Sequence, residues 1–375
     1  MATKHSQNES RHIRVLFVSR KWPPAIGGME TYSLELTTAL TSKVDLTRIV
    51  LSGRKNGHPP PLARMLLFIL STALRIWRER NNYDVYHFGD FVLFPLAWLT
   101  RKLSADSRIV ITVHGLDLLY GNRDGYKPAL YRHFIAWASR QQCVDHFIAN
   151  SGNTAMICRR MGFEPVDGIP LGVRPGLCLE AAESDERFLL FVGRLVPRKG
   201  ASWFAENVLP QLPKDVLLFV VGKPWDKAET ETLQQNKRVR LHGYLPDQEL
   251  EALKCRCIAM VMPNIPSPNE MDVEGFGIVA VEAGSQGIPL IAADIEGLHD
   301  AVRHGETGFL LPSGDARAWQ KQIEILMNWG ESERREFAVG ASDAVAKHYS
   351  WDRVAEDTLE IYRMTTATDN CEGDI

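Results

Sequence analysis

The sequence contains no apolar stretch long enough to cross a bilayer as a helix. Its longest apolar run, Met65 to Leu74, falls well short of the roughly 20 residues that a spanning helix needs. Residues 1–12 are polar and include no apolar segment of signal-peptide length. We therefore expect a disordered N-terminus and a protein that stays in the cytoplasm.

Net charge and cysteine are also low. A net charge of -3 gives no reason to expect nucleic acid as a partner, because a nucleic-acid surface needs an excess of positive charge. The cysteines form neither a C-x-x-C pair nor a plausible disulfide framework, so we expect free thiols in a reducing compartment. There are six of them, at positions 143, 158, 178, 255, 257 and 371.

The turn after the first predicted strand lacks a dinucleotide-binding fingerprint. The apolar run Arg14 to Ser19 predicts a buried parallel strand, and a helix is predicted from about Met29 to Leu40. A dinucleotide-dependent oxidoreductase needs G-x-G-x-x-G between such elements, whereas the sequence reads P-P-A-I-G-G-M-E. That class of enzyme is therefore disfavoured.

Length and apolar content, by contrast, are ample. With 375 residues, of which 45% are hydrophobic and 24% charged, the chain should form two soluble globular domains. Short apolar runs alternate with amphipathic helical patterns along most of it. The apolar runs suit buried parallel strands of an open α/β sheet.

The stretch from Asn269 to Pro289 has the clearest chemistry. Glu274 and Glu282 stand on either side of Gly275-Phe276-Gly277, and a helix is predicted to begin near Ile278. The unpaired N–H groups and the positive dipole end of that helix would favour an anion over the glycine turn. An anion with a carboxylate at each end suits a sugar joined by diphosphate to a ribose. The alternative is an ordinary strand, loop and helix with surface acids.

A second motif supplies positive charge. The apolar strand Phe188 to Val192 is followed by Arg194 and Lys199, and basic side chains at a strand end can balance a diphosphate. Taken alone, the two residues could equally be surface cations.

Together, E-G-F-G-I-V-x-x-E-A and F-V-G-R-L-x-x-x-K-G resemble the hallmarks of the retaining GT-B glycosyltransferases of family four. That E-x7-E family includes phosphatidylinositol mannosyltransferases, bacterial polysaccharide transferases and sucrose synthase. The resemblance covers nearly the whole chain. It implies an α/β GT-B fold, in which two doubly wound Rossmann-like domains face each other across a cleft.

The resemblance also implies a domain division. Leu171 and Arg174 replace the Asn and Asp that the family usually has where the chain leaves its first domain. We expect the following segments: a disordered N-terminus (1–12), an acceptor domain (13–172), a linker (173–186), a nucleotide-sugar donor domain (187–348), a helix crossing back to the first domain (349–364) and a flexible tail (365–375).

Roles for individual residues follow from the same resemblance. The catalytic residues would be His114 at a strand end, Arg194 and Lys199 on the donor phosphates, and Glu274 on the sugar hydroxyls. Glu282 would hold the ribose. The other residues expected to bind substrate are Gly27 and Gly28 near the diphosphate and acceptor, Lys223, Tyr244 and Leu245 around the base, and Gly275, Phe276, Gly277 and Ile278 in the turn.

The implied reaction retains the anomeric configuration and moves a hexosyl group from a GDP- or UDP-sugar, GDP-mannose among them, to a saccharide or lipid-linked acceptor. The sequence contains no Asp-x-Asp, which metal-dependent transferases use. Asp272-Val273-Glu274 could imitate one, but the basic pair makes a metal unnecessary. We expect no metal and no cofactor. The main alternative is a non-catalytic sugar-nucleotide binding protein.

The segment Leu62 to Arg80 predicts an amphipathic helix that combines leucines and Trp77 with arginines. Such a helix can lie on the inner face of an anionic membrane, with the arginines at headgroup level. It can equally cover a sheet and leave a solvated basic edge. The sequence leaves both readings open.

Overall fold

Two parallel sheets with helices packed around them make up the protein. The computed structural model describes residues 12–25, 27–54, 60–178, 186–267 and 273–367. The strands are β1 (Arg14–Trp22), β2 (Asp45–Ser52), β3 (Val85–Phe88), β4 (Arg108–Val113), β5 (His146–Ala149), β6 (Val166–Gly168), β7 (Arg187–Val192), β8 (Val216–Val221), β9 (Val239–Gly243), β10 (Met260–Met262), β11 (Leu290–Ala293) and β12 (Phe309–Leu311).

Helices connect the strands and cover the sheets. They are α1 (Gly28–Leu40), α2 (Leu62–Arg78), α3 (Phe94–Leu103), α4 (Leu116–Leu119), α5 (Tyr126–Ala138), α6 (Gly152–Arg160), α7 (Ala201–Asn207), α8 (Lys227–Gln235), α9 (Asp247–Arg256), α10 (Ile278–Ser285), α11 (Leu298–Ala301), α12 (Ala316–Met327), α13 (Glu331–His348) and α14 (Trp351–Ala367). None of these described helices combines the length and the hydrophobicity that crossing a bilayer requires.

The first sheet has the order β2-β1-β3-β4-β5-β6, and the second the order β12-β11-β10-β7-β8-β9. Every recorded strand pair is parallel, for example Val15 beside Val85 and Met260 beside Leu290. Central strands such as β4 are buried almost throughout, as expected for parallel sheets covered on both faces. The predicted pair of doubly wound α/β sheets is therefore confirmed.

The strand orders define where ligands should bind. In the first sheet the order reverses between β1 and β3, and in the second between β7 and β10. Ligands of open α/β sheets bind in the crevice outside the carboxyl ends of the strands, at this point of reversal. The two relevant crevices lie after Trp22 and Phe88 in the first sheet, and after Val192 and Met262 in the second.

The last helix returns to the first sheet. α14 packs against α1 and also contacts β4 and β5. Its buried Tyr362 hydroxyl lies 2.6 Å from Nδ1 of His87 in β3. Just before α14, the Tyr349 carbonyl accepts a hydrogen bond from the Val173 N–H at 2.8 Å. The helix continues to Ala367, past the end at residue 364 that the sequence predicted; residues 1–11 and 368–375 lie outside the described residues.

The prediction that all the cysteines are free thiols is wrong. Cys178 and Cys255 form a disulfide, with their Cα atoms 6.0 Å apart and a sequence separation of 77. Sequence spacing could not reveal this pair, because the fold alone brings the segment before residue 179 against α9. Cys143, Cys158 and Cys257 are free and buried, and Cys371 lies outside the described residues.

Candidate active site

Glu274 lies in the loop before α10, among three polar donors. Its carboxylate accepts hydrogen bonds from Lys199 Nζ, from Arg198 Nη1 at 3.3 Å and from Asn264 Nδ2 at 3.2 Å. The side chain is 14% exposed. Burial alone would raise the pKa of Glu274, but the charges of Lys199 and Arg198 outweigh burial and lower the pKa to about 2. Glu274 is therefore a carboxylate at neutral pH.

This cluster occupies the crevice of the second sheet. Arg198 and Lys199 follow β7, and Asn264 follows β10. These two strands are neighbours, and the strand order reverses between them. Two cations and an amide thus converge on one acid at the position where open α/β sheets bind ligands.

A second loop fixes the backbone of Glu274. The N–H of Glu274 donates to the Glu296 carboxylate at 2.5 Å, and the Gly297 N–H donates to the Glu274 carbonyl at 3.0 Å. Glu296 has a φ of 53°, a left-handed conformation that costs a non-glycine residue about 1–2 kcal/mol. The loop of Glu296 and Gly297 therefore positions the acid.

The glycine turn leads directly into α10. Gly277 has a φ of 91°, and a Cβ atom there would lie 2.6 Å from Leu298 Cδ2. The position therefore requires glycine. Phe276 is buried and anchors the turn. α10 begins at Ile278, so the predicted helix start is confirmed. The first N–H groups of this helix lie only a few residues after Glu274.

We expect Gly277→Ala to lower the free energy of unfolding by about 2 kcal/mol, because alanine would be strained at this φ and would displace Leu298. Urea unfolding measures this. Gly340→Ala in α13 is the control: its Cβ would meet nothing within 4 Å, so it should unfold at the same or a slightly higher urea concentration. Equal stability of the two variants would contradict the conclusion that position 277 requires glycine.

His114 approaches the cluster from the first sheet. It follows β4, and its Nε2 lies 3.0 Å from the Gly89 carbonyl. A carbonyl oxygen can only accept, so Nε2 carries the hydrogen, and in the neutral form of an imidazole Nδ1 is then the acceptor. The His114 N–H donates to Asp117 Oδ1 at 3.0 Å, and Asp117 thereby holds the turn.

The two halves of the protein meet at His114 and Gly275. A Cβ atom built on Gly275 would lie 3.0 Å from the His114 carbonyl oxygen, and one on Gly115 would lie 3.6 Å from Gly275 Cα. Thr154 Oγ1 also donates to the Gly275 carbonyl at 3.4 Å. Because Gly275 directly follows Glu274, the structure brings His114, Lys199 and Glu274 to one place between the sheets.

A buried chain of hydrogen bonds supports His114. Tyr362 contacts His87, whose Nε2 lies 2.7 Å from Thr112 Oγ1; that hydroxyl lies 2.7 Å from the Tyr32 hydroxyl. The Tyr32 ring then meets the His114 ring edge to face, with centroids 4.9 Å apart. Burial, with a smaller contribution from His114, lowers the pKa of His87 to about 3. His87 is therefore a neutral structural link.

Gly27 and Gly28 lie at the start of α1, facing the crevice of the first sheet. Gly27 is the N-cap, and a Cβ on Gly28 would meet nothing within 4 Å. The neighbouring Ile26 is outside the described residues. Nearby, Lys21 Nζ lies 3.3 Å from Glu30 Oε1. Lys21 and Glu30 line a cavity of about 270 Å³, and the two glycines are not among its lining residues.

Two exposed aromatic rings, each with a cation over it, flank the ends of β7, β8 and β9. The Arg194 guanidinium lies 5.4 Å from the centroid of Trp225, and Lys223 Nζ lies 5.4 Å from that of Tyr244. The rings are 66% and 62% exposed. Leu245 packs partly buried against the core. Arg194 thus lies over Trp225, whereas Arg198 and Lys199 contact Glu274.

Glu282 lies inside α10 and faces α9. Burial raises the pKa of Glu282, while Lys254 lowers it and Glu251 raises it further. Both neighbours belong to α9, which follows the loop of Tyr244 and Leu245. Glu282 is therefore on the side of α10 nearest the residues predicted to line the base pocket.

Sequence reasoning missed two residues that the structure places in or beside the site, Trp225 and Asn264. Both become neighbours of the predicted residues only through the fold. Arg198 is predictable only as a neighbour of Lys199 in P-R-K-G, whereas the structure places it on Glu274. Among the described residues, no group of three or more His, Cys, Asp or Glu side chains is arranged to hold a metal ion; Asp272 lies outside them.

Two family models match the chain. The model described as Glycosyltransferase Family 4 matches residues 26–176, and the model described as Glycosyl transferases group 1 matches residues 180–339. The first match includes α1 and His114. The second includes the Lys199 and Glu274 cluster.

Known proteins show the same similarity over most of their length. The D-inositol 3-phosphate glycosyltransferase of Corynebacterium glutamicum (strain R) is 32% identical, over 79% of this chain and 76% of that protein. The sucrose-phosphate synthase of Thermosynechococcus elongatus superposes with a TM-score of 0.70 at 19% identity, covering 95% and 100% of the two chains. HepE of Anabaena, in complex with UDP-glucose, gives 0.68 at 18% identity, covering 94% and 100%.

Proposed function

This chain belongs to the family 4 glycosyltransferases with the GT-B fold, and from that premise we propose which reaction it performs. It moves a hexosyl group from a nucleotide diphosphate sugar to an acceptor hydroxyl, with retention of the anomeric configuration. The observation that carries this proposal is the ion pair of Lys199 with Glu274. It lies in the crevice of the donor-side sheet and next to the His114 turn.

Breaking a bond between a sugar and a diphosphate requires stabilising the negative charge that builds up on the departing oxygens. Lys199 and the amides of Gly277 and Ile278 supply preorganised positive charge and donors for this purpose. Arg194, which lies over Trp225, turns from that ring to the phosphates. Lys199 must then divide its hydrogen bonds between Glu274 and the phosphate. Arg198 remains on Glu274 at 3.3 Å and keeps that acid ionised while Lys199 turns to the phosphate.

The acids hold the two rings of the donor. Glu274 accepts hydrogen bonds from sugar hydroxyls, and Glu282 from the ribose. The bond from the anomeric carbon to the phosphate oxygen breaks, and the acceptor oxygen bonds to that carbon on the same face. The acceptor's proton passes to the departing phosphate oxygen. His114, with Nδ1 free to accept, lines the opposite wall.

This arrangement needs no metal ion in the proposed reaction. Protein cations stand where a divalent ion would otherwise neutralise the phosphates. We also propose that no cofactor takes part.

The donor is a GDP- or UDP-hexose. D-V-E-G-F-G resembles GDP-mannose users, whereas the similar HepE is in complex with UDP-glucose. The acceptor is a saccharide or a lipid-linked saccharide of cell-surface glycan synthesis, and the work is done in the cytoplasm. Because several relatives are named for D-inositol 3-phosphate, that soluble acceptor belongs in the same assay.

A donor screen tests the proposal. Purified protein is incubated with UDP- and GDP-sugars, with and without EDTA, and thermal stability and released nucleoside diphosphate are measured. We expect one donor to raise the melting temperature and to be turned over, equally well with EDTA. Stabilisation without any turnover would favour a non-catalytic sugar-nucleotide binding protein. Loss of turnover in EDTA would contradict metal independence.

A further inference from the structure

The outward side of α2 is apolar, although a helix that merely covers a sheet should present polar side chains there. Phe68, Thr72 and Ile76 are the buried side chains of this helix. On its other side, large apolar side chains are between 49% and 67% exposed. We call these residues the α2 outer face: Leu62, Leu66, Leu67, Leu70, Leu74 and Trp77.

Arginines border the α2 outer face. Arg64, Arg75 and Arg78 are exposed, and at the helical angle of 100° per residue they fall together along one edge of the apolar side. The sequence has no acidic residue from Pro61 to Arg78. Arg75 pairs with Glu79 at 3.1 Å. Leucines and tryptophan flanked by arginines are the pattern of a helix that lies in the interface of an anionic bilayer.

Two other occupants of the α2 outer face fit less well. A second copy packed antiparallel would bring Arg64 of one chain towards Arg75 and Arg78 of the other, and the acid next in sequence, Glu79, already pairs with Arg75. The chain segments outside the described residues are short and mostly polar. They offer few apolar side chains with which to cover six large ones.

The α2 outer face adjoins the acceptor side of the site. Leu62 and Met65, in the first turn of α2, line the cavity of about 270 Å³ together with Arg20. Arg20 pairs with the buried Asp90 at 2.9 Å. Asp90 follows Gly89, whose carbonyl accepts the hydrogen bond from His114. The cavity therefore lies between the exposed leucines and the His114 wall.

We propose that the α2 outer face docks on an anionic lipid bilayer, and that the acceptor is a saccharide carried by a lipid in that bilayer. The lipid-borne saccharide enters past the first turn of α2, through the cavity beside Arg20, and reaches the cleft at His114. This inference deepens the proposed function and rests on it for the acceptor's identity. The docking itself is measured as binding and does not depend on turnover.

Vesicle sedimentation tests the docking. The full chain is mixed with vesicles of phosphatidylcholine alone and of phosphatidylcholine with an equal amount of phosphatidylglycerol. We expect binding to the mixed vesicles, weakened by salt. Leu66→Gln with Leu70→Gln should reduce that binding about tenfold or more. The matched control replaces exposed apolar residues of α12 and α13, Ile325→Gln with Val339→Gln, and should bind like the unmodified chain.

Two double variants that remove positive charge, one on α2 and one elsewhere, complete the test. Arg64→Gln with Arg78→Gln should weaken binding and its salt dependence, whereas Lys321→Gln with Arg335→Gln, exposed and on α12 and α13, should not. Donor hydrolysis without vesicles should be unchanged in every one of these variants, so that failed docking is told apart from a failed site. If the leucine variant does not fold, Leu70→Gln alone carries the comparison.

The proposal is overturned if the unmodified chain binds neither kind of vesicle. It is equally overturned if the leucine variant and its control bind the mixed vesicles equally well. It is also overturned if gel filtration shows a dimer that the leucine variant converts to a monomer while vesicle binding is absent. That outcome would make the α2 outer face an interface between copies.

Discussion

Lys199→Met lowers kcat and kcat/KM for sugar transfer by about 10²–10³-fold, while the protein stays folded. The loss is large because Lys199 opposes negative charge that appears only as the sugar–phosphate bond breaks, so that its effect is strongest in the transition state. Folding is affected less, because Arg198 and Asn264 still donate to Glu274. Steady-state kinetics with the donor found by screening, together with a thermal melt, measure both effects.

Lys227→Met is the matched control. Lys227 lies on α8, its side chain is 89% exposed, and it pairs only loosely with Glu231 at 3.5 Å. We expect its kcat to stay within about twofold of the unmodified enzyme, as for most surface substitutions. If Lys199→Met were as active as this control, Lys199 would be a structural partner of Glu274 and not a phosphate ligand.

The sequence predicted those parts of the fold that depend on local chemistry. The start of α10 at Ile278 follows from a glycine turn that only Gly277 allows and an apolar run after it. α1 spans Gly28–Leu40, close to the predicted Met29 to Leu40, because a pair of glycines ends the loop before it and an amphipathic pattern follows. Short apolar runs predicted parallel strands and the chain length predicted two domains, while the family resemblance supplied the doubly wound arrangement of each.

The convergence on Glu274 could not be predicted in the same way. Arg198 and Asn264 are 66 residues apart in number and meet because β10 lies beside β7 in the second sheet. The disulfide of Cys178 with Cys255 is equally non-local. Strand order is decided by the packing of the whole domain, and one-dimensional spacing carries little information about it.

The character of α2 depended on the same kind of information. The sequence showed leucines and arginines mixed on one helix, and this allowed either a sheet-covering or a membrane-facing role. Which leucines are exposed follows from the side that carries Phe68, Thr72 and Ile76. The sequence alone does not show which side of the helix is buried, so it could not predict which side chains form the α2 outer face.

Glu274→Gln reduces kcat by about 10²-fold or more and also lowers the stability of the fold. Turnover falls because a neutral amide holds sugar hydroxyls less firmly in the transition state. Stability falls, by about 3 kcal/mol, because the buried Arg198 guanidinium loses a charged partner at 3.3 Å. The pKa of Glu274 is lowered in the folded protein, so its stabilising effect is present above pH 4.5 and is lost as the pH falls from 4.5 towards about 2. Urea unfolding of the variant should show less acid dependence in that range.

Glu274→Asp separates these two effects. Aspartate keeps the negative charge beside Lys199 and Arg198, so the urea midpoint should return close to that of the unmodified protein. Its carboxylate is one methylene shorter, and a displacement of about 1 Å at a reacting centre can cost 10²-fold in rate. We therefore expect kcat to remain low. Recovery of both stability and turnover in Glu274→Asp would show that the enzyme needs only a negative charge at this position, and the assignment of Glu274 to the sugar hydroxyls would fall.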